Sequence, residues 1–351
     1  MCIRDRSCVI TKQPGTGGAV TVGTVTAQLL YEIAAPAYSN PDVVAHFDSV
    51  AVREIARDRV EISGTRGSAP PSTLKVAINA DGGYRNSMTM VLTGLDVEAK
   101  AAHAERMLFE LLGGREQYDA VDVMLVRSEL IDAPTNAQAA AQLRVTVKDT
   151  DREKVGRRFS NAVVELSLAS YAGFFTSTPP SSESAFGIYW PCVVPTDAVE
   201  HAVLLPDGTR VLIEPLATES ASVDPVAAPV DGSGSRAWGE TVRAPLGSVC
   251  GGRSGDKGGN ANVGLWTATD DAYDWLAAFL TDAQVRALVP EAVELVIERY
   301  RLPNLRAVNL VFVGILGEGV ASSTRPDPQA KGLAEYVRSR VVDVPRVLLG
   351  R

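Results

Sequence analysis

The run Gly251-Gly252-Arg253-Ser254-Gly255-Asp256-Lys257-Gly258-Gly259-Asn260-Ala261-Asn262 places five glycines, two cations, a carboxylate, a hydroxyl and two amides in twelve residues. No structural turn needs that variety. Glycines expose backbone N–H groups that seek acceptors. Arg253 and Lys257 give a local positive excess, while Asp256 can carry a proton or hold Lys257 in place. The segment therefore reads as an anion-binding loop. Asp256 and Lys257 form its catalytic pair, and Arg253, Ser254, Asn260 and Asn262 are its ligand contacts. It does not match a P-loop.

Two further glycine segments carry similar chemistry. Gln13-Pro14-Gly15-Thr16-Gly17-Gly18 leads through Val22-Gly23-Thr24 into an apolar helix. Free N–H groups at such a helix start can hold a phosphate or carboxylate, with Gly15, Thr16, Gly17, Gly18 and Thr24 as contacts. Val20 stands where a dinucleotide fingerprint requires its third glycine, so that reading fails. The plainer reading is a tight turn that needs positive φ. In Asp81-Gly82-Gly83-Tyr84-Arg85-Asn86-Ser87 the polar contacts would be Tyr84, Arg85, Asn86 and Ser87, against the plainer reading of a hairpin turn. Three such loops in one chain point to one shared polar site. Ser254, Ser87 and Thr16 have no histidine within sequence reach, so a Ser-His-Asp arrangement is unsupported. His46, His103 and His201 lie far apart, and the four cysteines form no CxxC pair, which argues against a His/Cys metal site. Carboxylate-held magnesium stays open.

These segments must be held by regular elements. Apolar periodicity predicts a helix over 24–33, stopped by Pro36, and strands near 49–54, 60–63, 75–79 and 87–92. A helix over 96–112 opens on Asp96 and ends at Gly113-Gly114. Strands at 121–127 and 142–148 precede a long helix over 152–172, and shorter strands at 187–194 and 210–214 follow. After 245 the order is a strand at 262–268, helices at 270–280 and 282–288, strands at 292–300 and 306–313, a helix at 327–338 and a strand at 341–344. That is β-α-β-β-α-β, the ferredoxin-like order. The fold class is α/β (α+β): a mixed-sheet N-terminal domain, then a ferredoxin-like βαββαβ domain expected to fold alone over about 245–346. Residues 217–239 are rich in Ala, Ser, Pro and Gly and read as a linker. The expected boundaries are 8–216 for the first domain, 217–244 for the linker and 245–351 for the second domain. Residues 1–7 are set apart, because Met1-Cys2-Ile3-Arg4-Asp5-Arg6 resembles translated sequencing-adapter read-through. On that reading the first domain is truncated at its start and exposes apolar surface that missing elements would cover.

Composition bounds the function. With 351 residues, 46% hydrophobic and 22% charged, the chain can bury a sizeable core. Its 34 basic against 42 acidic residues give a net charge of −8, all of the excess lying before residue 245, which excludes a general nucleic-acid binder. No apolar run approaches the length of a membrane helix, and no signal peptide is visible. The expectation is a cytoplasmic protein with no nucleic-acid or membrane partner.

Several of these segments carry a resemblance. Lys12–Gly18 with Val22–Ile33, Asn40-Pro41-Asp42-Val43, Thr73-Leu74-Lys75-Val76, Gly82–Met88 and Leu92–Asp96 resemble the acyclic terpene utilisation family, AtuA. The stretch from Arg253–Asn262 to Tyr300–Arg306 resembles that family's appended ferredoxin-fold domain. Gln13 departs from the family pattern, which carries a histidine there. The resemblance implies a role in breaking down citronellol- or geraniol-type isoprenoids through acyl-CoA thioesters. A branched acyl-CoA would be the substrate of a hydratase, lyase or isomerase-type step, with no other cofactor. The alternative is a non-catalytic assembly or ligand-sensing subunit, partnered by a copy of itself or by an enzyme of the same pathway.

Overall fold

The computed structural model describes residues 3–4, 7–214 and 237–349. Two compact units emerge: residues 1–78 with 189–351, and residues 79–188. They divide the chain differently from the boundaries expected at 216 and 245. Residues 217–236 of the expected linker lie outside the described residues, and the following stretch contains the strand Thr241–Pro245.

In the unit over 79–188, period-2 alternation builds an antiparallel sheet. The strand Thr73–Thr93, which enters this unit, pairs with Ala140–Asp149, and that strand pairs with Ala120–Val126. Helices Val97–Leu112 and Arg157–Ala169 pack on the sheet through Leu108, Phe109, Phe159 and Val163, meeting Met88, Met90, Leu143 and Val145. Helix Val97–Leu112 stops where Gly113 takes a left-handed conformation (φ 87°), as its Gly-Gly end predicts. The helix expected over 152–172 is instead two helices, Arg152–Val155 and Arg157–Ala169, broken at Gly156. The turn expected at 81–87 is also corrected, because those residues run inside the 21-residue strand Thr73–Thr93. Its glycines mark close approach rather than chain reversal. A Cβ on Gly82 would lie 2.3 Å from the Phe186 ring, and Gly83 (φ 86°) lies against the Asp149 carbonyl.

The other unit is organised on a four-stranded antiparallel sheet in the order Gly251–Lys257, Asn260–Trp266, Ala307–Phe312, Ile297–Leu302. Helices Asp270–Phe279, Asp282–Leu288 and Leu333–Ser339 contribute to a core with Val263, Leu265, Leu310 and Phe312. A second cluster joins Leu30 and Ile33, just past helix Val22–Leu29, to Val50, Leu302, Leu305 and Ala307. Strand Ala307–Phe312 is therefore buried throughout and strand Asn260–Trp266 is buried except at its two ends, as expected for central strands covered on both faces. The β-α-β-β-α-β order is present with one rearrangement. The last strand, Val341–Pro345, pairs with Thr241–Pro245, and Gly251–Lys257 takes the edge beside Asn260–Trp266. Because Leu302, Leu305 and Ala307 pack on residues before 79, we expect residues 245–346 expressed alone to melt below the whole chain; equal melting temperatures would show that this packing adds nothing.

Candidate functional site

The segment expected to be an open loop at 251–262 is a β-hairpin, with Lys257 paired to Asn260 across Gly258-Gly259. Glycine is required there for packing. Gly258 has φ 66°, and a Cβ on Gly259 would meet the Gly317 carbonyl oxygen at 2.3 Å. A Cβ on Gly251 would strike the Trp266 indole at 2.4 Å, and one on Gly255 would lie 2.7 Å from Glu32 Cγ and 2.9 Å from the Tyr31 ring. The bare strand at Gly255 lets the Tyr31–Glu32 turn lie directly on the hairpin.

That turn is fixed by two buried amides. Asn262 Oδ1 accepts from the Glu32 backbone N–H at 3.0 Å, and its Nδ2 donates to the Leu30 carbonyl at 2.7 Å and to Asn309 Oδ1 at 2.9 Å. Asn309 Nδ2 in turn donates to the carbonyls of Ile33 and Ala34 at 3.2 and 2.8 Å. Both asparagines are fully buried. They satisfy backbone groups left over where helix Val22–Leu29 ends, and hold Glu32 at φ 56°, a conformation that costs a non-glycine residue energy.

The result is a charged cluster at the turn end of the hairpin. Lys331 Nζ donates to the Tyr31 hydroxyl, to Glu32 Oε1 at 2.5 Å and to Asp256 Oδ1 at 3.4 Å, so it bridges two carboxylates. Burial alone would raise the Glu32 carboxyl, but hydrogen bonds from Lys331 and Tyr31 and the charges of Lys331 and Lys257 hold it below its ordinary value. Burial likewise works against the Lys331 charge, and Glu32 and Tyr31 outweigh it, keeping that ammonium protonated well above the ordinary lysine range. Arg253 lies over the Tyr31 ring at 4.5 Å.

Lys257 differs. Its ammonium sits 5.2 Å from the Tyr38 ring centroid and makes no ion pair or hydrogen bond among the described residues. Burial first, then the charge of Lys75, push it below the ordinary lysine value, against the pull of Glu32 and Asp256. Lys75 itself stands over the Tyr189 ring at 5.7 Å. Two lysines without carboxylate partners, walled by tyrosines, face a neighbouring pair of carboxylates. Such a group can bind an anion on one side and exchange a proton on the other.

The expected catalytic pair and ligand contacts fall in different surroundings. Asp256, Lys257 and Arg253 lie in the cluster. Ser254 is buried, with its hydroxyl accepting from Ala334 N at 2.8 Å and donating to the Lys331 carbonyl at 3.3 Å. Asn262 is spent on the chain as described, and Asn260 Oδ1 accepts from Gly314 N at 2.8 Å. Gly15 and Gly18 adopt φ 73° and 80° in an exposed turn that includes Gly17, and the Thr16 hydroxyl donates to the Gln13 carbonyl at 2.7 Å. Thr24 completes a capping box with Thr21, whose backbone N–H it accepts at 2.9 Å. Tyr84, Arg85, Asn86 and Ser87 belong to the unit over 79–188. There Asn86 is buried and bonded to Ser181, Ser87 Oγ lies 2.7 Å from Thr146 Oγ1, and the Arg152 guanidinium stands over the Tyr84 ring. Sequence reading passed over Glu32, Lys331, Tyr31, Tyr38 and Tyr189. Lys331 is 299 residues from Glu32, so no spacing could have linked them.

Glu32→Gln offers a direct check of the cluster's electrostatics. A carboxyl held below its unfolded value stabilises the fold above about pH 4.5 and loses that contribution as pH falls through its folded value. For a partly exposed pair the loss is about 0.2–1 kcal/mol. The expected outcome is a variant slightly less stable than the parent near neutrality, with the gap closing on acidification, as read by melting temperature against pH.

Among the described residues, no group of three or more His, Cys, Asp or Glu side chains is placed to hold a metal ion, and no helix is long and apolar enough to cross a membrane. Residues 2–205 match the sequence model described as the acyclic terpene utilisation family protein AtuA, and residues 244–343 match that of the AtuA ferredoxin-like domain. No curated protein and no solved structure matches the chain.

Proposed function

The chain belongs to the acyclic terpene utilisation family AtuA, and from that premise we propose that it acts on a branched acyl-CoA thioester at the Lys257 cluster, in a hydratase, lyase or isomerase-type step. The observation that carries this reading is Lys257 itself, half-buried, without an ion partner and beside Lys75. An unpaired, half-buried ammonium favours an anionic or strongly polarised oxygen close by. A thioester carbonyl supplies one. When the neighbouring carbon gives up a proton, charge develops on that oxygen as an enolate, and a positioned cation stabilises it more than it does the ground state. Asp256 takes the proton and returns it when the enolate collapses, to the same carbon or to one further along the chain. Lys331, itself anchored by Glu32, holds Asp256 in place. No metal or redox group enters this scheme, and the thioester is its only coenzyme-bearing component.

Calorimetric titration with a branched acyl-CoA tests the reading. Lys257→Ala is expected to weaken binding about tenfold, the equivalent of one charge-assisted contact, while melting within a few degrees of the parent. Unchanged affinity together with a large drop in melting temperature would make the lysine structural and end the proposal.

A second reading, an assembly or ligand-sensing subunit of the same pathway, draws on a different feature. The hairpin of His201–Leu204 and Arg210–Ile213 forms a two-stranded sheet of its own, and its Val203, Leu204, Leu212 and Ile213 side chains are exposed. A surface of that kind suits a partner.

A further inference from the structure

Lys331 takes both carboxylates at the turn end of the hairpin, Glu32 at 2.5 Å and Asp256 at 3.4 Å. Lys257 follows Asp256 in the chain, yet its amine has the Tyr38 ring at 5.2 Å and no ion pair or hydrogen bond among the described residues. A second amine stands close by. Lys75, near the start of strand Thr73–Thr93, lies 5.7 Å from the centroid of the Tyr189 ring. That same ring packs on Gly258, where a Cβ would be 2.7 Å from Tyr189 Cε1. Tyr189 thus links Lys75 to the residue that follows Lys257, and neither lysine has a carboxylate to hold. We propose that the Lys257 amine attacks the ketone of an oxo acid and forms an imine with it, while Lys75 receives the acid's carboxylate. The inference rests on the same cluster as the thioester reading but needs no thioester.

The surroundings suit a nucleophile. An amine attacks only in its free form, and a lysine gives up its proton more readily when it is withdrawn from water beside a second cation. Lys257 meets both conditions, and Glu32 and Asp256 do not outweigh them. The contrast with Lys331 is direct, since that ammonium is held protonated by Glu32 and Tyr31. A tyrosine ring attracts a cation only modestly at a partly exposed site and offers no carboxylate. The hairpin fixes the amine's origin, because Lys257 is paired with Asn260, whose Oδ1 accepts from Gly314 N at 2.8 Å.

The step needs no further reagent. The amine nitrogen bonds to the carbonyl carbon, giving a carbinolamine. Its hydroxyl then leaves as water with one proton taken from solvent, and a C=N⁺H bond stands where the C=O stood. The cationic nitrogen draws electrons from the adjoining carbon, so a proton or a carbon substituent there leaves more easily. Attack of water on the imine returns the ketone and the amine.

Incubation of the whole chain with levulinate and sodium cyanoborohydride, which reduces an imine to a stable secondary amine, tests the inference by peptide mass mapping. The expected result is an adduct concentrated on Lys257. 2-Pentanone, which lacks the carboxylate, should react about tenfold more slowly, the equivalent of one charge-assisted contact. Lys257→Arg keeps the charge and should abolish the adduct. Lys75→Gln should bring the two probes to equal rates. It also removes the charge that eases proton loss from Lys257, so the pH of half-maximal trapping should move to the alkaline side. Adducts spread over many lysines, an unmoved pH profile in Lys75→Gln, or trapping that survives Lys257→Arg would each overturn the inference. Calorimetry with the branched acyl-CoA separates it from the thioester reading. Thioester binding that Lys257→Ala weakens, with no levulinate adduct in the parent, sinks the imine alone, whereas an adduct on Lys257 without thioester binding upholds it and ends the other.

Discussion

Asn262→Leu is expected to destabilise the protein by about 3–5 kcal/mol, a large share of the stability of an ordinary domain. The side chain is fully buried and serves three groups, the Glu32 N–H, the Leu30 carbonyl and Asn309 Oδ1. Leucine keeps the γ-branched shape but is larger, and it leaves all three without partners, at about 1–3 kcal/mol each before relaxation. The loss also reaches the site, because among the described residues no other group accepts from the Glu32 backbone N–H. Chemical denaturation gives the stability, and a variant within about 1 kcal/mol of the parent would show that the amides can be replaced by packing alone. The double variant Asn262→Leu with Asn309→Leu should cost less than the sum of the two single changes, since the mutual amide bond is then absent from both sides.

Asp256→Asn is expected to reduce turnover of the thioester by about 10²–10⁴-fold, the usual contribution of a positioned general base. Asparagine keeps the shape and can still contact Lys331, so thioester affinity and melting temperature should stay near those of the parent. Steady-state kinetics separates the outcomes. A fall in kcat with an unchanged dissociation constant assigns the proton transfer to Asp256. A rise in KM with kcat preserved would leave it a binding residue and move the base to Glu32. Because Lys257 is held below the ordinary lysine value, enolate stabilisation by its ammonium should fade as pH rises, starting earlier than it would for a free lysine. The alkaline limb of kcat/KM should vanish in Lys257→Arg, whose guanidinium stays charged.

Elements with strong periodicity or clear stops were legible without coordinates. Helix Val97–Leu112 ends at Gly113, and helices Asp270–Phe279 and Asp282–Leu288 start at Thr269 and Thr281, residues that cap through their hydroxyls. The glycine segments at 81–87 and 251–262 misled for a single reason. Glycine signals either a reversal of the chain or the absence of a side chain where another group must come close, and the letters do not distinguish the two. At Gly82, Gly255 and Gly251 the neighbours are Phe186, the Tyr31–Glu32 turn and Trp266, all remote in sequence or across the sheet.

The sequence thus determined a great deal by itself: an α/β chain, a C-terminal half in β-α-β-β-α-β order, and family membership carried by long motifs. Which charges are neutralised was decided only by the tertiary structure. Lys331 arrives from 75 residues beyond Asp256 and bridges it to Glu32, whereas Lys257, the nearest cation in sequence, is left with a tyrosine ring and another lysine. Charges interact through space and solvent exposure, and sequence separation sets neither. The same holds for Asn262, whose amide reads as a ligand contact in the chain but in the fold serves backbone groups 230 and 232 residues away.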